Sequence, residues 1–312
     1  MSRPTRVGLV GLGNMGWPMA GHLVRGGVEL AVADAVPGRA EAFAREVGGT
    51  AAPSLPTLAE RSEIVITMLP NGAVVREAVL GAAGRPALIE GLRPDAILVD
   101  MGSSDPAIYP KIAAALAARG ARLVDAPVSG GVTGARAATL TIMAGGDADA
   151  IDRVQPLLQL LSQRVFRVGA LGNGQAMKAL NNLASAGALI LTLEVLLIGQ
   201  RFGLEPQLMT EILNVSTGRN NSTERKIIPH VLSRRFDSGF ALGLMAKDLA
   251  TALSIAQATD TPTLLGTPSL EAARQALALL GPDADHTAIA RWLEQRIGEE
   301  LHASPGAPAP PT

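Results

Sequence analysis

Two patterns of apolar residues divide the chain. Up to about residue 170, short apolar runs recur: TRVGLV (5–10), VELAVAD (28–34), EIVITMLP (63–70), DAILVDMGSS (95–104), ARLVDAPVSGG (121–131), TLTIMAGG (139–146) and RVFRVG (164–169). Most are apolar and β-branched without strict alternation, as strands covered by helices on both faces are. Between them the period lengthens to that of a helix, clearest in WPMAGHLVRGG, which follows the first run. From Gly172 onward no further strand is evident and helix follows helix. The first of these runs to Phe202, roughly 30 residues or about 45 Å. It is apolar on most faces after Leu183, which predicts burial on all sides, partly by a second copy of the chain. EPQLMTEILNVS and FALGLMAKDLATALSIAQA (240–258) are further helices, separated by a polar loop, STGRNNST (216–223). Two more helices follow a Pro-containing loop, and the tail ASPGAPAPPT (303–312) has nothing to bury and reads as disordered.

The pattern predicts an α/β Rossmann-type doubly wound sheet domain over residues 1–170 and an all-α substrate and dimerisation domain over 171–302, joined by the long helix. A length of 312 residues suits two domains, and 47% hydrophobic against 18% charged residues provides their cores. With 27 basic and 28 acidic residues the chain lacks the electrostatic footprint of a nucleic-acid or membrane-surface binder. The absence of cysteine excludes disulfides, thiolate metal sites and cysteine nucleophiles. The four histidines have no metal-ligand spacing, so no metal is expected. Residues 183–199 resemble a membrane span, but they carry Ser185, Thr192 and Glu194 and fall short of about 20 apolar residues. They read as a buried helix, with no membrane partner. The first strand begins too early for a signal peptide, and a cytoplasmic protein is expected.

The chemistry begins at the glycine turn after the first strand, GLGNMG: Gly11, Leu12, Gly13, Asn14, Met15 and Gly16. In a strand–turn–helix context Gly11 permits the tight turn, Gly13 admits a pyrophosphate to the backbone, and Gly16 lets the helix pack on the strand. The helix N-terminus then offers N–H groups and a positive dipole end to the phosphates. Asp34 ends the second strand 18 residues beyond Gly16, near the roughly 20 expected of a carboxylate that binds the ribose 2′-hydroxyl. It would repel a 2′-phosphate, so NAD is preferred. Arg39 could pair a 2′-phosphate and keeps NADP possible; Asp34 as a plain turn residue is the alternative. Ligands of open α/β sheets gather at the carboxyl ends of strands. Those ends are Met68, Leu69 and Pro70, then Gly102, Ser103 and Ser104, then residues 126–131. Ser129, Gly130 and Gly131 offer a hydroxyl and unobstructed N–H groups, an anion-binding turn or simply a flexible one. Lys178 and Asn182 lie at i and i+4 on the long helix and share a face.

Four blocks in order, VGLVGLGNMGWPMAGHL, DAPVSGGVTGARAATLTIMAGG, GNGQAMKALNN and LMAKDLATAL, resemble the β-hydroxyacid dehydrogenase family over about residues 6 to 300. The resemblance implies hydride transfer between a nicotinamide cofactor and a short 3-hydroxy acid or its semialdehyde, of the 3-hydroxyisobutyrate or tartronate semialdehyde type. It implies that Lys178 is the general acid/base and that Asn182 contacts substrate. Ser129, Gly130 and Gly131 would bind the substrate carboxylate, Lys247 would lie near the nicotinamide end, and Ser103 would contact the cofactor. A dimer or tetramer is implied as well. Lysine normally has a pKa of about 10.4; burial, and Lys247 if close, would favour the neutral amine. The block that usually ends in asparagine–leucine has His22 here, and Ala138 replaces a glycine. Imine reductases on this fold generally lack the lysine, as would a non-catalytic NAD-binding relative; Lys178 argues against both. For Lys247 the alternative is a surface pair with Asp248.

Overall fold

The computed structural model of the chain describes residues 5–82 and 84–302. The Pro/Ala tail expected at 303–312 lies outside them. The chain divides into two compact units, Met1–Lys178 and Ala179–Thr312.

The first unit runs β1 (Arg6–Val10), α1 (Gly16–Arg25), β2 (Glu29–Ala33), α2 (Arg39–Glu46), β3 (Thr50–Ala51), α3 (Leu55–Arg61), β4 (Ile64–Thr67), α4 (Gly72–Leu80), α5 (Leu88–Gly91), β5 (Ile97–Asp100), α6 (Tyr109–Ala117), β6 (Arg122–Asp125), β7 (Val128–Ser129), α7 (Gly131–Ala137), β8 (Thr141–Gly146), α8 (Ala148–Gln159) and β9 (Arg164–Gly169). The sheet order is β3-β2-β1-β4-β5-β6-β8-β7, with β9 beside β8. The strands from β3 to β6 pair in parallel. The expected Rossmann-type doubly wound domain is present, and the strand order reverses at β1, between β2 and β4.

The apolar runs arise because successive residues serve different cores. Ile64 and Ile66 of β4 and Ile97 and Val99 of β5 pack with Met19 and Leu23 of α1, Phe43 of α2 and Val154 of α8. Val65 and Leu98, between them, pack with Leu58 of α3, Val75 of α4 and Ile112 of α6 on the other face. A strand buried on both faces needs no polar alternate.

The run 121–131 is not one strand. It breaks after Asp125, near Pro127, which has no N–H for a ladder. Val128 and Ser129 then pair antiparallel with β8, as does β6, so the far side of the sheet is mixed.

The 30-residue α9 (Asn173–Phe202) follows, and the boundary between the units falls within it. The second unit continues with α10 (Pro206–Asn214), α11 (Asn221–Arg225), a π-helical stretch Ile227–Leu232, α12 (Leu242–Ala258), α13 (Gly266–Leu280) and α14 (Ile289–Ile297). Its core joins Leu189, Leu193 and Leu196 of α9 to Leu249 of α12, Ala273 of α13 and Leu293 of α14. One expectation is corrected here: the polar stretch 216–223 is a loop only in its first half, because Asn220 accepts hydrogen bonds from the N–H groups of Ser222 and Thr223 and caps α11. Within the single chain α9 is covered on part of its surface: Leu191 is 56% exposed, Ile198 69% and Phe202 85%. The helix is long and apolar enough to cross a membrane by length and composition, but it is also a core helix of this unit.

Candidate active site

The glycine turn occupies the switch point between β1 and β4, at the carboxyl edge of the sheet. Its three glycines answer to different constraints. Gly11 has φ +103°, and a Cβ there would lie 2.4 Å from the Met68 carbonyl oxygen. A Cβ on Gly16 would lie 1.8 Å from the Gly11 carbonyl oxygen, so the entry into α1 closes on the turn. Gly13 is exposed with nothing within 4 Å of its would-be Cβ. Leu12 is buried; Asn14 is exposed, and Met15 caps α1 without a side-chain hydrogen bond.

Asp34 follows β2 and turns back toward the glycines. Its carboxylate accepts from Leu12 N–H at 2.7 Å and Val36 N–H at 2.8 Å, and from Arg39 at 3.3 Å. Arg39, the candidate partner of a 2′-phosphate, is thus engaged by the carboxylate that would repel one. An open Gly13, an uncapped α1 and a carboxylate at the β2 edge fit a dinucleotide. Gly11, Leu12, Gly13, Asn14, Met15 and Gly16 would line its pyrophosphate and Asp34 its ribose. Met68 and Leu69 are half-buried and Pro70 exposed just beyond β4, with Met68 N–H donating to Val10 at 2.9 Å. Ser103 is half-buried beyond β5. Ser129 ends β7, and Gly130 and Gly131, at φ +124° and +61°, turn the chain directly into α7.

Beneath these loops lie two buried carboxylates. Asp100, at the end of β5, accepts from Thr67 Oγ1, Gly102 N–H, Ser104 Oγ and Tyr109 OH at 2.7–3.1 Å. Burial raises its pKa against the pull of those donors. Asp125, at the end of β6, accepts from the N–H groups of Gly172 and Gln175, each at 2.8 Å. Burial pushes its carboxyl up to about 6, opposed by these two bonds. Gln175, 1% exposed, accepts from Ser104 N–H and donates to the Gly102 carbonyl, each at 2.9 Å. Lys178 is half-buried on α9, three residues beyond Gln175.

In the helical unit, Asn182 Nδ2 donates to Asp248 Oδ2 at 2.5 Å. The other oxygen of Asp248 pairs with Lys247 Nζ at 2.9 Å. Asp248 is 2% exposed, so this is not the surface pair weighed as an alternative. It is a buried carboxylate holding an amide and an ammonium, and it went unassigned in the motif reading, as did Asp100, Asp125 and Gln175. The signal for Asp248 was present in LMAKDL; for Asp125 and Gln175 it lay within DAPVSGG and GNGQ. His22 bonds the Arg136 carbonyl at 2.9 Å, a packing role between α1 and α7. Among the described residues no cluster of three or more His, Cys, Asp or Glu could hold a metal.

The sheet, its switch-point glycine turn and the carboxylate just beyond β2 define a dinucleotide-binding protein of the Rossmann type. Residues 6–169 match the family model described as the NAD binding domain of 6-phosphogluconate dehydrogenase, and residues 172–293 that described as the NAD-binding domain of NADP-dependent 3-hydroxyisobutyrate dehydrogenase. The chain belongs to the β-hydroxyacid dehydrogenase family and is an NAD(P)-dependent enzyme. It is 39% identical to the mitochondrial 3-hydroxyisobutyrate dehydrogenase of Mus musculus, over 85% of this chain and 80% of that one. It is 34% identical to the 2-(hydroxymethyl)glutarate dehydrogenase of Eubacterium barkeri, over 96% and 98%. The solved structure of Mycobacterium tuberculosis 3-hydroxyisobutyrate dehydrogenase with L-serine superposes with a TM-score of 0.83 at 31% identity, over 93% of this chain and 99% of that one.

Proposed function

We propose that the chain transfers a hydride between NAD(H) and a short 3-hydroxy acid or its semialdehyde, with 3-hydroxyisobutyrate the first candidate. The observation that carries this reading is the presence, in one compact unit, of an open Gly13 turn, Asp34 and Lys178 at the start of α9. The names of the relatives point the same way. 3-Hydroxyisobutyrate, 2-(hydroxymethyl)glutarate and L-serine share the skeleton HOCH2–CH(R)–COO⁻ and differ in R.

The bound nicotinamide supplies or accepts the hydride. Lys178, as neutral amine, takes the hydroxyl proton during oxidation and returns it to the carbonyl oxygen during reduction. Asn182, whose amide is held by Asp248, orients the substrate oxygen. Ser129 with the N–H groups of Gly130 and Gly131 holds the carboxylate, fixing the reacting carbon in place. Ser103 and Lys247 serve the cofactor side. NAD is favoured over NADP because Asp34 places a negative charge where a 2′-phosphate would sit. The exposed apolar residues of α9 and α10 favour a homodimer or homotetramer.

A panel assay tests the reading. 3-Hydroxyisobutyrate, glycerate, L-serine and threonate are each offered with NAD and NADP, following reduced-cofactor absorbance, on the parent and on Asp34→Ala. We expect turnover of a 3-hydroxy acid with NAD ahead of NADP, and a narrowed preference in Asp34→Ala. No turnover of any 3-hydroxy acid would contradict the substrate class; a parent that prefers NADP would contradict the role of Asp34.

A further inference from the structure

The first turn of α9 is capped from a distance. Ala176 N–H donates to the Gly172 carbonyl at 2.9 Å, which makes Gly172 the residue that opens the helix. Gly172 has φ +92° and no side chain, so it cannot satisfy the orphan N–H groups of that turn itself. Asp125 does so instead, taking the N–H of Gly172 on one oxygen and that of Gln175 on the other, across 47 and 50 residues of sequence. The surrounding glycines leave this carboxylate almost no latitude. A Cβ on Gly145 would lie 2.5 Å from Asp125 Oδ1, and one on Gly174 would lie 2.7 Å from Asp125 Oδ2. Gln175 adds a second tie, its side-chain amide spanning Ser104 N–H and the Gly102 carbonyl. The same loop is anchored from below by Asp100 through Gly102 N–H and Ser104 Oγ.

We infer that Asp125 and Gln175 are positioning residues for proton transfer by Lys178: they fix the first turn of α9 to the carboxyl ends of β5 and β6, one helical turn ahead of the lysine. The inference rests on the reading of Lys178 as the acid–base group. Its physical basis is that Lys178 has a long flexible stem, so the placement of its Cα comes from the helix, and Asp125 and Gln175 tie the start of that helix to the ends of β5 and β6. Asparagine at position 125 would have one acceptor oxygen for two N–H groups and would turn an NH2 toward the other. The turn would then loosen or shift. Displacement by about 1 Å can cost roughly 100-fold in rate.

The test uses the full-length enzyme as Asp125→Asn and Gln175→Met, the latter removing both side-chain bonds with an unbranched residue of similar length. Four quantities are read: kcat and KM, the primary deuterium isotope effect with 4-deuterated NADH, the NADH dissociation constant, and hydrogen exchange of the peptide covering residues 170–178. We expect kcat to fall by at least about 10-fold with an isotope effect no smaller than the parent's, since the slowed step is the chemical one. NADH affinity should be unchanged, and exchange at the start of α9 should be faster. Parent-like kcat in folded Asp125→Asn overturns the inference. So does a fall in kcat matched by an equal fall in NADH-binding stoichiometry, which reports lost active protein rather than a misplaced lysine. Should Asp125→Asn fail to fold, Gln175→Met decides by the same criteria. Lys178→Ala separates the two levels: if it loses turnover while Asp125→Asn keeps full kcat, only the positioning role falls; if it keeps full turnover, both statements fall.

Discussion

A single Cβ separates two kinds of glycine in the turn after β1. At Gly16 it would overlap the Gly11 carbonyl oxygen, whereas at Gly13 it would meet nothing. Gly16 is therefore constrained by the fold itself, whereas the constraint proposed for Gly13 is the ligand. Gly16→Ala should lower the melting temperature and cofactor affinity together. Gly13→Ala should leave the melting temperature unchanged and weaken NADH binding by about 10-fold or more, about 1.4 kcal/mol. Thermal melts with and without NADH, alongside titration of NADH fluorescence, check both. Equal destabilisation by the two substitutions would remove Gly13 from the pyrophosphate site. The geometry of the turn was legible in the sequence because the motif is local and its spacing sets the backbone path. The bonds of Asp125 and Gln175 were not, since their partners lie in other strands and loops and no spacing along the chain reports them. Asp248 falls between: its block was recognised, but the bond to Asn182 comes from the packing of α12 against α9.

At the level of elements, periodicity located the strands and long helices but not what covers them. Thr50–Ala51 is a two-residue strand too short to carry a pattern. Residues 121–131 read as one strand, though the chain bends near Pro127 and reverses its pairing sense at β8. The apolar content of α9 predicted burial on every side, but composition cannot say whether the cover comes from the same chain. Leu189, Leu193 and Leu196 are covered by the helical core, whereas Leu191, Ile198 and Phe202, with Leu208 and Ile212 of α10, are not. Each apolar side chain of that size gains roughly 1.5–3 kcal/mol on full burial. If a second copy covers this face, sedimentation should show a dimer or tetramer at micromolar concentration, and Ile198→Glu should shift it toward monomer. A monomeric parent would refute the proposed assembly.

Taken whole, the molecule is a Rossmann-type sheet unit and a helical unit linked by a continuous helix whose opening turn belongs to the first and whose length belongs to the second. Fold class and family were legible because four ordered blocks span nearly the whole chain. The identity of the hydroxy acid was not, because none of those blocks spells out what surrounds a substrate. The central claim is that Lys178 moves the proton that accompanies the hydride. Steady-state turnover of Lys178→Ala, with NADH affinity determined on the same preparation, tests it most directly. Loss of turnover with NADH bound as tightly as by the parent is the predicted result; turnover at the parent's rate would contradict it.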